Sequence, residues 1–105
     1  MSQVVEIKSR NPLLGTWKSS DGFSDVQYTV SAESGKLVVT GIDTDDGEKP
    51  EVRDVVWSEE NRTLEFTAYW ESTGRTVKYR LQPASAPGRA RVTFTYTTQE
   101  TWELV

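Results

Sequence analysis

The chain has no cysteine and no histidine among its 105 residues. Without thiols there can be neither a disulfide nor a thiolate metal site. Without imidazole the commonest general base and the commonest metal ligand are both missing. No apolar run approaches the roughly 18 residues of a membrane span. Residues 1–10 lack the long apolar core of a secretory signal, so a cytoplasmic location is the expectation. Positive charge is also short: 12 Lys and Arg stand against 16 Asp and Glu, for a net charge of -4. Phosphate backbones favour a basic surface, so nucleic acid is not an expected partner. Helical periodicity is absent as well, and no motif implies a cofactor.

What remains is a relay of short β-type runs. Residues 1–12 form a lead-in, in which Val4, Val5 and Ile7 could supply an extra edge strand. Pro12 favours an extended residue before it. Residues 13–105 form one β domain, long enough for a core of its own. Eight strands are expected within it, at 13–19, 25–32, 36–43, 51–58, 63–71, 75–82, 89–97 and 100–105. Each is rich in Val, Thr, Tyr, Phe or Trp, residues that pack well on a pleated surface. The connections carry turn chemistry, for example Asp21-Gly22, Ser34-Gly35, Asp46-Gly47, Thr73-Gly74 and Pro87-Gly88.

Period-two alternation sorts the later strands into a dry and a wet face. Leu64, Phe66, Ala68 and Trp70 share one side. Val77, Tyr79 and Leu81 share another, as do Val92, Phe94 and Tyr96. In the fourth run Val52, Asp54 and Val56 share one parity and Val55 and Trp57 the other, which a β-bulge near Asp54 would reconcile. Amphipathic antiparallel strands with short loops bury their apolar faces by curling into an up-and-down barrel or by stacking as a two-sheet sandwich.

The first run opens with Gly15-Thr16-Trp17, preceded by Asn11-Pro12-Leu13-Leu14. With eight strands following, this resembles the opening of the calycins, the lipocalin-like and avidin-like small barrels. The resemblance implies a closed barrel with Trp17 at its closed end. It also implies that Gly15 lets another backbone come close.

The interior of an eight-stranded barrel is either filled by side chains or holds one small ligand. Parity sends nine of the eleven aromatics inward, and seven of those nine carry a polar N–H or O–H that needs a partner when buried. Trp17, Tyr28, Phe66, Trp70, Tyr79, Phe94 and Tyr96 would line a cavity for a small, partly apolar ligand; Trp57 and Trp102 are the other two. The alternative is a structural or interaction domain with a filled core.

Catalysis has one candidate. Asp54 sits in an apolar run, where burial would suit it as the acid or base of a small cofactor-free isomerase or cyclase. The acidic turn Asp43-Thr44-Asp45-Asp46-Gly47-Glu48 places its glycine one position too early for an EF-hand loop, so a solvated hairpin loop is expected and no metal. Arg75, Lys78, Arg80, Arg89 and Arg91 should pair across strands with Glu65 and Glu71. The threonines of the seventh run, Thr93, Thr95 and Thr97, offer an outer face with few charges for a homodimer.

Overall fold

The computed structural model describes residues 11–105. Seven strands follow one another: β1 Gly15–Lys18, β2 Val26–Glu33, β3 Lys36–Asp43, β4 Glu51–Ser58, β5 Thr63–Trp70, β6 Arg75–Pro83 and β7 Ala90–Thr97. The expected bounds of β3 and β4 hold to the residue, and the others differ by at most two positions at an end. The edge strand expected around Val4, Val5 and Ile7 lies outside the described residues.

Every pairing is antiparallel and joins sequence neighbours. β1, β2 and β3 form one sheet, and β4, β5, β6 and β7 form a second. Among the described residues no ladder joins β3 to β4 or β7 to β1, and no closed barrel is found. The two sheets nonetheless share one core. Leu13, Tyr28, Val30 and Val39 from the first side pack with Leu64, Phe66, Ala68, Trp70, Val77 and Leu81 from the second.

Each of the six reversals contains a residue with positive φ. Five have a glycine: Gly22, Gly35, Gly47, Gly74 and Gly88. The turn between β4 and β5 uses Arg62 at 54°. The tightest is Ser34-Gly35, both left-handed at 52° and 79°, between the paired residues Glu33 and Lys36. That is the two-residue turn whose twist matches the flanking strands.

The bulge in β4 is present. The register against β5 shifts between Arg53 and Val56, and Asp54 has φ 58°. The extra residue turns Val52, Val55 and Trp57 all toward the core, where each packs half-buried. Arg53, Asp54 and Val56 are left exposed.

The expected eighth strand, 100–105, does not form: residues 98–105 carry no strand. Thr97-Thr98-Gln99-Glu100 has no glycine, and nothing between 98 and 105 has positive φ. A reversal onto β7 therefore lacks the backbone geometry that every other reversal in the chain uses. Trp102, expected inward, is instead 86% exposed.

Candidate functional site

Cross-strand register builds the aromatic centre. β5 and β6 place Phe66 opposite Tyr79, and β6 and β7 place Tyr79 opposite Phe94. Tyr28 reaches this row from the other sheet. Its ring centroid lies 5.0 Å from Phe66 and 4.8 Å from Tyr79. Phe66 and Tyr79 stack at 5.1 Å, and Phe94 lies 5.9 Å beyond Tyr79. Tyr28, Phe66 and Tyr79 thus pack against one another between the two sheets.

The polar handles of these rings are used within the chain. The Tyr28 hydroxyl donates to the Tyr79 hydroxyl at 3.1 Å. The Trp17 indole N–H donates to the Leu13 carbonyl at 2.7 Å, and the Trp57 indole to Glu59 Oε1 at 3.1 Å. Among the described residues no buried side-chain nitrogen or oxygen lacks a partner. Trp70 belongs to the packed core, and Trp17 lies half-buried against it.

Burial also shifts the two phenols. It pushes Tyr28 above the ordinary 10.0; the hydrogen bond to Tyr79 and the charge Tyr79 would carry act the same way, with Trp70 opposing. Tyr79 rises through burial, and the bond from Tyr28 works against that rise. A pH dependence follows. In the unfolded chain both tyrosines ionise near pH 10, while the folded state holds them neutral. Stability is therefore fully present below pH 10 and falls above it, with a slope of up to ~1.4 kcal/mol per pH unit for each tyrosine. Denaturant midpoints at pH 8 and pH 11 check this. Tyr28→Phe should lose stability less steeply over that interval than the parent, and an equally steep loss would rule out Tyr28 as a source of the slope.

The outer end of the aromatic row is open. Val92, Phe94 and Tyr96 face the core side by parity, yet they are 46%, 50% and 57% exposed. The matching positions on β5 and β6 are buried or half-buried. The difference is topological: β7 pairs with β6 on one side and, among the described residues, with nothing on the other. Phe94 and Tyr96, expected to line an enclosed cavity, instead form an apolar strip beside a free strand edge. Val92 completes the strip. Parity alone does not single it out, because the gap lies in the strand that should follow. Arg75 lies over the Tyr96 ring at 4.8 Å.

Asp54 points outward from the bulge and is exposed, so it lacks the burial expected of it in an apolar run. With Val56, Glu65, Thr67, Lys78 and Arg80 it lines a shallow open groove of about 560 Å³ on the outer face of the second sheet. Both charge signs line that groove, and Arg80 Nε donates to Glu65 Oε2 at 3.0 Å across it. This is the one cross-strand ion pair of the expected set found among the described residues. Arg53–Glu51 at 3.4 Å is the other ion pair, within β4. On the outer face Thr97 pairs with Thr76, which in turn pairs with Tyr69, so β6 separates Thr93, Thr95 and Thr97 from Tyr69.

The acidic turn is held by its own carboxylates. Asp43 Oδ1 accepts from the Asp45 N–H, and Asp46 Oδ1 from the Glu48 N–H. The Glu48 carboxylate reaches across to the β5–β6 turn and accepts from both the N–H and the hydroxyl of Ser72, at 3.1 and 2.6 Å.

No protein-family model matches this chain, and neither a curated protein nor a solved structure matches it.

Proposed function

We propose that this chain is a non-catalytic interaction module that takes an extended segment against β7. One observation carries the reading: the free β7 edge lies beside Val92, Phe94 and Tyr96, which stay about half exposed on an otherwise buried face. An unpaired edge offers backbone donors and acceptors to an incoming strand, and an adjacent apolar strip offers pockets for its alternate side chains. The calycin-like reading has support in the strand order and the shared core; in its terms the barrel is left open between β3 and β4 and between β7 and β1.

A second reading keeps the small amphipathic ligand but moves it from the interior to the strip. Phe94 favours it, since one side of the ring packs on Tyr79 and the other is free.

Peptides separate the two. The labelled protein is titrated with a blocked seven-residue peptide of alternating Thr and Phe, a proline-interrupted control, and a naphthalene sulfonate dye. The module predicts shifts confined to the amides of Ala90–Thr97 with the alternating peptide and none with the control. Phe94→Ser should weaken binding at least tenfold, about 1.4 kcal/mol, while leaving the fold intact because the ring is half exposed. Shifts with the dye alone would favour the small ligand. Silence of β7 toward every probe would remove both readings.

A further inference from the structure

We infer that the segment taken by β7 is the C-terminal stretch of a second copy of this chain, given and received reciprocally. The inference rests on β7 being a docking edge and names what docks there.

Parity points to this occupant first. The alternation of β7 is interrupted by Thr98 and Glu100 and resumes at 101–104. Val92, Phe94 and Tyr96 fall in step with Trp102 and Leu104, while Arg91, Thr93 and Thr95 fall in step with Thr101 and Glu103. Residues 101–104 therefore have the alternation of a strand with one apolar side, although among the described residues of one copy they pair with nothing. Trp102 and Leu104 are almost fully exposed, so the fold of their own chain makes no use of them.

The connection points the same way. All six reversals of the chain contain a positive-φ residue, and the stretch after Thr97 contains none. Thr97-Thr98-Gln99 favours straight continuation over a turn, since β-branched residues suit an extended backbone and resist left-handed geometry. A strand that cannot return to its own β7 can still reach that of a neighbour. This is the logic of exchange between identical protomers, in which a hinge selects the intermolecular partner.

Charge complementarity sets the register. The stretch carries Glu100 and Glu103 and no basic residue, while Arg89 and Arg91 flank the start of β7. When two copies run antiparallel about a twofold axis at Thr98, Glu103 of one lies opposite Thr93 of the other and diagonal to Arg91, on the outer face. The same pairing sets Trp102 of one copy opposite Phe94 of the other and Leu104 opposite Val92, with Glu100 opposite Tyr96 on that same side. Residues directly opposite in an antiparallel pair share a face, so an even register matches Trp102 and Leu104 with the apolar strip and Glu103 with the outer face, while Glu100 falls on the apolar side next to Tyr96. Four strands from each copy then join into one continuous sheet, which removes both free β7 edges.

The test is mass and amide protection in the full chain. Analytical ultracentrifugation should find a dimer, and hydrogen exchange should show protection at 92–96 and at 101–104 together. Trp102→Ser combined with Leu104→Ser should yield a monomer of unchanged circular dichroism, because neither residue packs on the fold. A second variant keeps the idea falsifiable by restoring the missing turn. Thr98→Asn with Gln99→Gly supplies a three-residue reversal ending in a left-handed glycine, so each tail should fold onto its own β7. It predicts a monomer in which both stretches remain protected. A dimer that survives both variants would overturn the inference and place the contact elsewhere. A parent chain that stays monomeric with 101–104 unprotected would overturn it too. In that case the interaction module still stands if the alternating peptide shifts β7, and falls with the inference if it does not.

Discussion

Replacing Phe66 with alanine is expected to cost about 3–5 kcal/mol, the range for truncating a large aromatic in a packed core. Phe66 is among the most deeply buried large side chains of the protein, at 2% exposure. Leu64 and Ala68 flank it on β5, Tyr79 stacks on it from β6, and Tyr28 tilts against it from the other sheet. It is thus a bridge between the two sheets, which no backbone ladder joins. Removing the ring withdraws the surface on which Tyr28 and Tyr79 meet and leaves a void that neither sheet can close without sliding over the other. A domain of this size has a total stability of about 5–15 kcal/mol, so the variant should be close to unfolding. Urea denaturation followed by near-ultraviolet circular dichroism measures the loss. A cost below about 1.5 kcal/mol would mean that the ring faces an open cavity, and would restore the interior as a ligand site. Phe94→Ala is the internal contrast. That ring shares the row but is half exposed, and should cost much less.

Strand positions and the dry face are legible in the sequence because both depend on local pattern. β-branched and aromatic runs punctuated by glycine-bearing turns specify where the chain extends and where it reverses. The out-of-step valines of β4 likewise disclose the bulge at Asp54. The interior is legible only in part. Parity puts Tyr28 and Tyr79 on one side of their strands but cannot say that their hydroxyls meet, since their contact spans 51 positions and two sheets. The Trp17 and Trp57 indoles find local partners, the Leu13 carbonyl and the Glu59 carboxylate, which strand parity does not register, so a composition suited to ligand binding satisfies itself. Asp54 is the converse. Its neighbours Val55, Val56 and Trp57 suggest burial, and the bulge that reconciles the valines is what turns the carboxylate out. The last strand fails for a different reason. Residues 100–105 do have strand character, but a strand also needs an edge and a route to it, and Thr97-Thr98-Gln99 provides no route back.

Gly41 is where a single methyl group should do the most harm. Alanine for glycine in a strand ordinarily stabilises, because it restricts the unfolded chain by about 0.4–1 kcal/mol and suits the pleat better. Gly41 lies in β3 directly opposite Tyr28, and the Tyr28 ring lies across the position its side chain would occupy. A Cβ there would stand 2.7 Å from Tyr28 Cε1, 2.9 Å from Tyr28 Cδ1 and 3.0 Å from Pro50 Cγ. These distances are well inside carbon contact. The ring cannot swing away freely, since Phe66 and Tyr79 hold its other side and its hydroxyl is bonded to Tyr79. Gly41→Ala should therefore destabilise by about 1–3 kcal/mol, as overpacking does, and Gly41→Val by more. The sign is diagnostic, because the backbone at Gly41 is not left-handed and gives no conformational reason for a loss. A double-mutant cycle isolates the cause. In a Tyr28→Ala background the obstruction is gone, and Gly41→Ala should become neutral or mildly stabilising, a coupling of about 1–3 kcal/mol between the two sites. Equal costs in both backgrounds would assign the penalty to Pro50 or to the backbone. The Tyr28 ring would then no longer explain a glycine in the middle of β3.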